Sequence, residues 1–151
     1  MGKKASPPNG GQPDVQLLAE NMRDTIGNFV RAVRRHAGTP STAQGETLAF
    51  LERSGPVSIA AVAENRGVKH QSMRLVIAKL EESGLVALQQ DPQDGRGYLV
   101  TLTKAGLAET ASARAARTQW LSSVLATTMT PDERAILQQA LPILQKITNL
   151  D

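Results

Sequence analysis

The sequence predicts a mainly α-helical domain carrying one β-hairpin, and three observations support that reading. Apolar residues recur at three- and four-residue spacings along most of the chain, the period of a helix with one buried face. One pair of short runs breaks that period: LVALQQ (85–90) and YLVTL (98–102) are rich in the apolar and β-branched residues that suit paired strands, and they flank the turn-forming loop DPQDGRG (91–97). Capping residues, glycines and prolines then divide the helical part into separate segments.

In chain order, Val15, Leu18, Met22, Ile26, Phe29, Val30 and Val33 form one stripe of a helix from Asp14 to His36, which Gly38 and Pro40 stop. Ser41, with Gln44 three residues on, has the spacing of a capping box for a second helix that turns Leu48 and Leu51 inward and ends at Gly55-Pro56. Ser58 caps a short third helix with Ile59, Val62 and Ala63 inward, and Gly67 suits the left-handed position after it. In the fourth helix Met73, Val76, Ile77 and Leu80 fall at i, i+3, i+4 and i+7, leaving a polar face, and Gly84 closes it. After the hairpin Thr103 caps a long helix containing Trp120. Thr130-Pro131-Asp132-Glu133 then opens a last helix with the stripe Ile136, Leu137, Ala140, Leu141, Leu144 and Ile147, and Pro142 inside it predicts a kink.

The first 13 residues, rich in Pro, Gly and Asn and without an apolar run behind Lys3 and Lys4, read as a disordered tail rather than a secretory signal. The rest reads as a single domain, 14–151. With no cysteine there are no disulfides and no thiolate metal sites, which fits a reducing, cytoplasmic setting, and no run has membrane-spanning length. Two histidines, no metal-ligand cluster, no phosphate-cradling glycine motif and no nucleophile beside a base argue against an enzyme and imply no cofactor. Net charge is +3, yet residues 41–104 balance seven Lys/Arg against seven acids, so charge alone does not announce a nucleic-acid partner.

Three short helices followed by a hairpin have the plan of a winged helix-turn-helix. Within it LEESGLV (80–86), DPQDGR (91–96) and LTKAG (102–106) stand in an order and spacing that resembles the multiple antibiotic resistance regulator (MarR) family over residues 48–109. The resemblance implies a winged DNA-binding core, 41–104, between dimerisation helices at 14–37 and 105–151. It further implies a homodimeric, ligand-responsive repressor that binds double-stranded DNA at a pseudo-palindromic operator, with any small-molecule effector seated between the dimerisation helices and the winged core.

The residues themselves fit a DNA-reading role. Lys69, His70, Gln71, Ser72 and Arg74 place donors and acceptors within two turns of the fourth helix, where a helix laid in the major groove meets base edges and phosphates. In the wing, Asp94 is expected to accept hydrogen bonds from the Arg96 guanidinium and hold it extended toward a minor groove. Leu88-Gln89-Gln90 brings no basic residue into the wing, which predicts weaker or more salt-sensitive DNA binding than the fold suggests. The outer helices carry more apolar surface than a small core can cover, and a second copy of the chain is the economical cover. The alternative is a winged-helix dimer that binds protein without specific DNA binding.

Overall fold

The structure is a computed structural model that describes residues 14–39 and 41–149; the expected tail at 1–13 and the helix-stopping Pro40 lie outside those residues. Six helices and three strands follow in the order α1 (Val15–His36), α2 (Ala43–Ser54), β1 (Val57–Ser58), α3 (Ile59–Asn65), α4 (His70–Glu82), β2 (Val86–Gln90), β3 (Tyr98–Leu102), α5 (Lys104–Thr128) and α6 (Pro131–Thr148). The mainly α, winged arrangement is the expected one. No described helix is long and apolar enough to cross a membrane.

Local chemistry sets most of the boundaries. Ser58 accepts from the Ala61 N–H at 3.1 Å and Thr103 from the Gly106 N–H at 3.1 Å, each replacing a partner that the first turn of its helix lacks. Thr130 and Glu133 close the reciprocal box at the start of α6. The cap of α2 differs from expectation: Thr42, not Ser41, accepts from the Gly45 N–H, because the Ser41 hydroxyl is engaged with Glu46. On either side of α4, Gly67 (φ 61°) and Gly84 (φ 71°) take the left-handed conformation that an L side chain disfavours, ending one helix sharply and releasing the chain into the next element. α6 continues through Pro142 to Thr148, and Arg134 reaches back to the Met129 carbonyl at 2.7 Å, pinning the turn between α5 and α6.

The sheet has three strands rather than two. β3 is central, pairing antiparallel with β2 from Val86↔Leu102 to Gln90↔Tyr98 and with β1 at Val57↔Val100 and Ser58↔Leu99. A two-residue strand has no period to reveal it, and Ser58 is at once its last residue and the cap of α3.

One core joins these elements. Leu48 and Leu51 of α2, Val62 and Ala63 of α3, Met73, Ile77 and Leu80 of α4, Val86 of β2 and Val100 of β3 are buried together. Each fully buried aliphatic chain contributes roughly 1.5–3 kcal/mol, and those of α4 fix that helix's rotation about its axis. Thr47, fully buried, satisfies its hydroxyl on the Ala43 carbonyl at 2.7 Å and lies against Met73. The outer helices behave differently. In α1 only Val33 is buried, and α6 buries no residue, leaving Val15, Leu18, Phe29, Ile136, Leu141 and Ile147 exposed.

Candidate nucleic-acid interface

The core contacts of α4 decide what it offers to solvent. With Met73, Val76, Ile77 and Leu80 turned inward, His70, Gln71, Ser72 and Arg74 are all exposed, as is Lys69 at the N-cap. Lys69 supplies no side-chain cap, so N–H groups of the first turn face outward unpaired by it, at the end of the helix where the backbone dipoles favour an anion. Neither Lys69 nor Arg74 enters an ion pair among the described residues. Their charge is therefore available to an external partner.

Residues 91–97 connect β2 to β3 as a self-bonded loop. The Asp91 N–H donates to the Gly97 carbonyl and the Gly97 N–H to the Asp94 carbonyl, each at 2.9 Å, while Asp91 Oδ1 accepts from the Gln93 N–H at 2.8 Å. Asp94 Oδ1 accepts from the backbone N–H of Arg96 at 3.1 Å. This corrects the expected contact: Asp94 does not hold the guanidinium, because its short side chain closes onto the backbone two residues on, the local turn that Asp favours. Asp94 shapes the loop, and Arg96 projects from it, exposed and outside every ion pair among the described residues. Gln90, notable in the sequence for the charge it lacks, donates from Nε2 to the Gly95 carbonyl at 2.8 Å and braces the tip. Strands of five residues carry this tip about 17 Å from their base.

Between the end of α1, α2 and α5, with Asn65 and Arg66 at one side, lies a partly open cavity of about 510 Å³. Glu46 organises its wall, bonded to Ser41 and paired with both Arg34 and Arg66. The Ser41 and Arg34 hydrogen bonds, helped by the charges of Arg34 and Arg66, hold its carboxyl at a pKa of about 2. Arg114 pairs with Glu52 and tethers α5 to α2. Beside the cavity His36 stacks on Trp120 with ring centroids 5.1 Å apart and planes 3° from parallel, joining the end of α1 to α5. The stack covers part of Trp120, while His36 remains exposed.

A profile of the MarR family matches residues 38–97, the segment from the end of α1 to the end of the wing loop. An HTH-type transcriptional regulator of Mycobacterium tuberculosis is 34% identical over 125 residues, covering 82% of this chain and 87% of its own. An uncharacterized HTH-type transcriptional regulator of Mycobacterium leprae is 32% identical over 132 residues, covering 86% of this chain and 92% of its own. The chain belongs to the MarR family. Among solved structures it is similar in fold to a transcriptional regulator of Thermotoga maritima (TM-score 0.72, 19% identity, 87% and 94% of the two chains). It is likewise similar to wild-type MarR of Escherichia coli in its apo form (TM-score 0.61, 21% identity, 91% and 98%).

As a MarR-family protein the chain is a transcriptional regulator, with DNA binding implied, and the family is one of regulators rather than enzymes. The glycine of its LTKAG motif has a structural cause: a Cβ on Gly106 would lie 2.0 Å from the Leu85 carbonyl oxygen. α5 can start against the end of α4 only without a side chain there. The seven residues singled out in the sequence divide between two places, Lys69, His70, Gln71, Ser72 and Arg74 on α4 and Asp94 and Arg96 on the wing. Leu75, Ala78, Lys79, Glu81 and Glu82 of α4 are exposed as well and lie outside those seven. Helical periodicity could have found them, since none falls on the buried stripe.

Proposed function

We propose that this MarR-family chain acts as a homodimer that lays the N-terminal half of α4 into the major groove of duplex DNA and sets Arg96 of each wing in a flanking minor groove. The observation that carries this reading is the set of unpaired, exposed cations, Lys69, Arg74 and Arg96, on two elements that the common core holds in fixed relation. Gln71 is suited to pair with adenine, Arg74 with guanine or phosphate, and Ser72 and His70 with either bases or backbone. Asp94 serves the wing by ordering the loop that carries Arg96.

The uncovered apolar faces of α1 and α6 support self-association, since a second copy would bury both. Two-fold symmetry then gives a pseudo-palindromic site with half-site centres about 10 bp apart. Occupancy of such a site represses transcription in this reading, in the cytoplasm, and a small-molecule effector in the cavity between α1, α2 and α5 relieves it. The cavity's size, within the usual range for small-ligand sites, supports that part.

The test is retention on duplex DNA as a function of salt. Wild type should elute with a steep salt dependence, and the Arg74→Ala/Arg96→Ala variant should bind more weakly with a log–log slope shallower by up to about 2 per protomer, since two cations that displace counterions from the duplex are gone. Co-elution of the two proteins at low salt, with the dimer intact in both, would refute the proposal.

A further inference from the structure

We infer that Leu75, with Ala78 beside it, is a specificity-determining residue that packs against thymine methyl groups in the major groove; this rests on the reading of α4 as the groove-binding helix. At 100° per residue, the direction opposite the buried stripe of Met73, Val76, Ile77 and Leu80 passes within about 30° of Gln71, Leu75, Ala78 and Glu82. The line pointing straight away from the core therefore begins with an amide, continues with two apolar side chains and ends with an acid. Leu75 is 63% exposed although the same helix buries Met73, Ile77 and Leu80 almost completely.

The flanks of this line fit a groove. Arg74 lies about 70° to one side and Lys79 about 70° to the other, so a cation borders each edge, where the two phosphate backbones of a major groove would run. Both are exposed and unpaired among the described residues. Glu81 and Glu82 close the C-terminal end with negative charge, which keeps that end out and commits the helix to enter by Gln71 and Leu75. At the floor of a major groove the apolar group on offer is the C5-methyl of thymine, and the partner that a glutamine amide reads in two hydrogen bonds is adenine. Gln71 followed one turn later by Leu75 thus selects A·T pairs, the amide on the adenine and the leucine on a thymine methyl nearby.

The experiment uses the full chain and the duplex that wild type selects most strongly from a random library. Each thymine is replaced singly by deoxyuridine, which removes the methyl and leaves every hydrogen bond. Wild type should lose about fourfold in affinity at one or two thymines of each half-site, the worth of one buried methyl group. Leu75→Ala, at an exposed position and checked for unchanged melting temperature, should bind the parent duplex more weakly and lose sensitivity at those same thymines. Leu75→Met, which keeps apolar reach, should retain it. A flat uridine scan in wild type, or equal sensitivity in Leu75→Ala, overturns the role of Leu75 while leaving DNA binding standing. Recovery of no duplex at low salt overturns both readings together.

Discussion

Gly106→Ala is the substitution whose cost the structure specifies most fully. Real Cβ atoms keep at least 3.0 Å from other heavy atoms, and the new one would stand 2.0 Å from the Leu85 carbonyl oxygen and 3.1 Å from Leu102 Cδ2, so a backbone segment must retreat by about 1 Å. That oxygen also accepts from the Thr103 N–H at 3.1 Å, and the neighbouring Gly84 carbonyl accepts from the Thr103 hydroxyl at 2.6 Å. Overpacking of a tight site costs about 1–3 kcal/mol; each hydrogen bond stretched loses up to about 1 kcal/mol. Alanine returns about 1 kcal/mol through its better helix propensity. With both hydrogen bonds lost, the net expectation is a loss of about 2–4 kcal/mol, a large share of the stability of a domain this size. Urea unfolding of the full chain, at one protomer concentration because association would shift the midpoint, measures it as a midpoint lowered by about 1–2 M at unchanged slope. Gly95→Ala, where a Cβ meets nothing within 4 Å, is the control and should stay within about 0.5 kcal/mol of wild type. A Gly106→Ala chain that unfolds at the wild-type urea concentration or above would refute the close approach.

Further outcomes follow from the cavity wall, the outer helices and the wing. The Glu46 carboxyl has a folded pKa of about 2 against an ordinary value of 4.5, so its contribution is complete above about pH 5 and fades as the pH falls toward 2. Discounted for solvent screening of a side chain that is a quarter exposed, that contribution is about 1–2 kcal/mol; Glu46→Gln should lower stability by this amount at pH 7 and by almost nothing at pH 2 in parallel urea titrations. If the proposed dimer forms through the outer helices, Leu141→Glu, at a half-exposed position of α6, should sediment as a monomer while the winged core keeps its helix signal, and a variant that sediments as wild type would remove α6 from the interface. Asp94→Ala removes the acceptor of the Arg96 N–H and should weaken duplex binding several-fold without the change in salt slope that Arg96→Ala brings, because the cation remains.

The sequence by itself determined the identity and order of nearly every element, and for a local reason: caps such as Ser58, Thr103 and Thr130 act within three residues, and the stripe of α4 is visible in its period. It also singled out the exposed polar run of α4 and the wing arginine. What it could not contain are contacts between chemically similar choices that only assembled neighbours decide. Thr42 rather than adjacent Ser41 caps α2 because Glu46, drawn in by Arg34 from α1 and Arg66 beyond α3, claims the serine hydroxyl. Asp94 turns to the backbone of Arg96 instead of its guanidinium, since the loop's own hydrogen bonds bring that N–H within reach first. The stack of His36 on Trp120, 84 residues apart in the chain, exists only once α1 lies against α5. Leu75 lies on the boundary: its period already sets it off the buried stripe, but that it stays 63% exposed while Met73, Ile77 and Leu80 are buried against α2, α3 and the sheet is decided only by the assembled core.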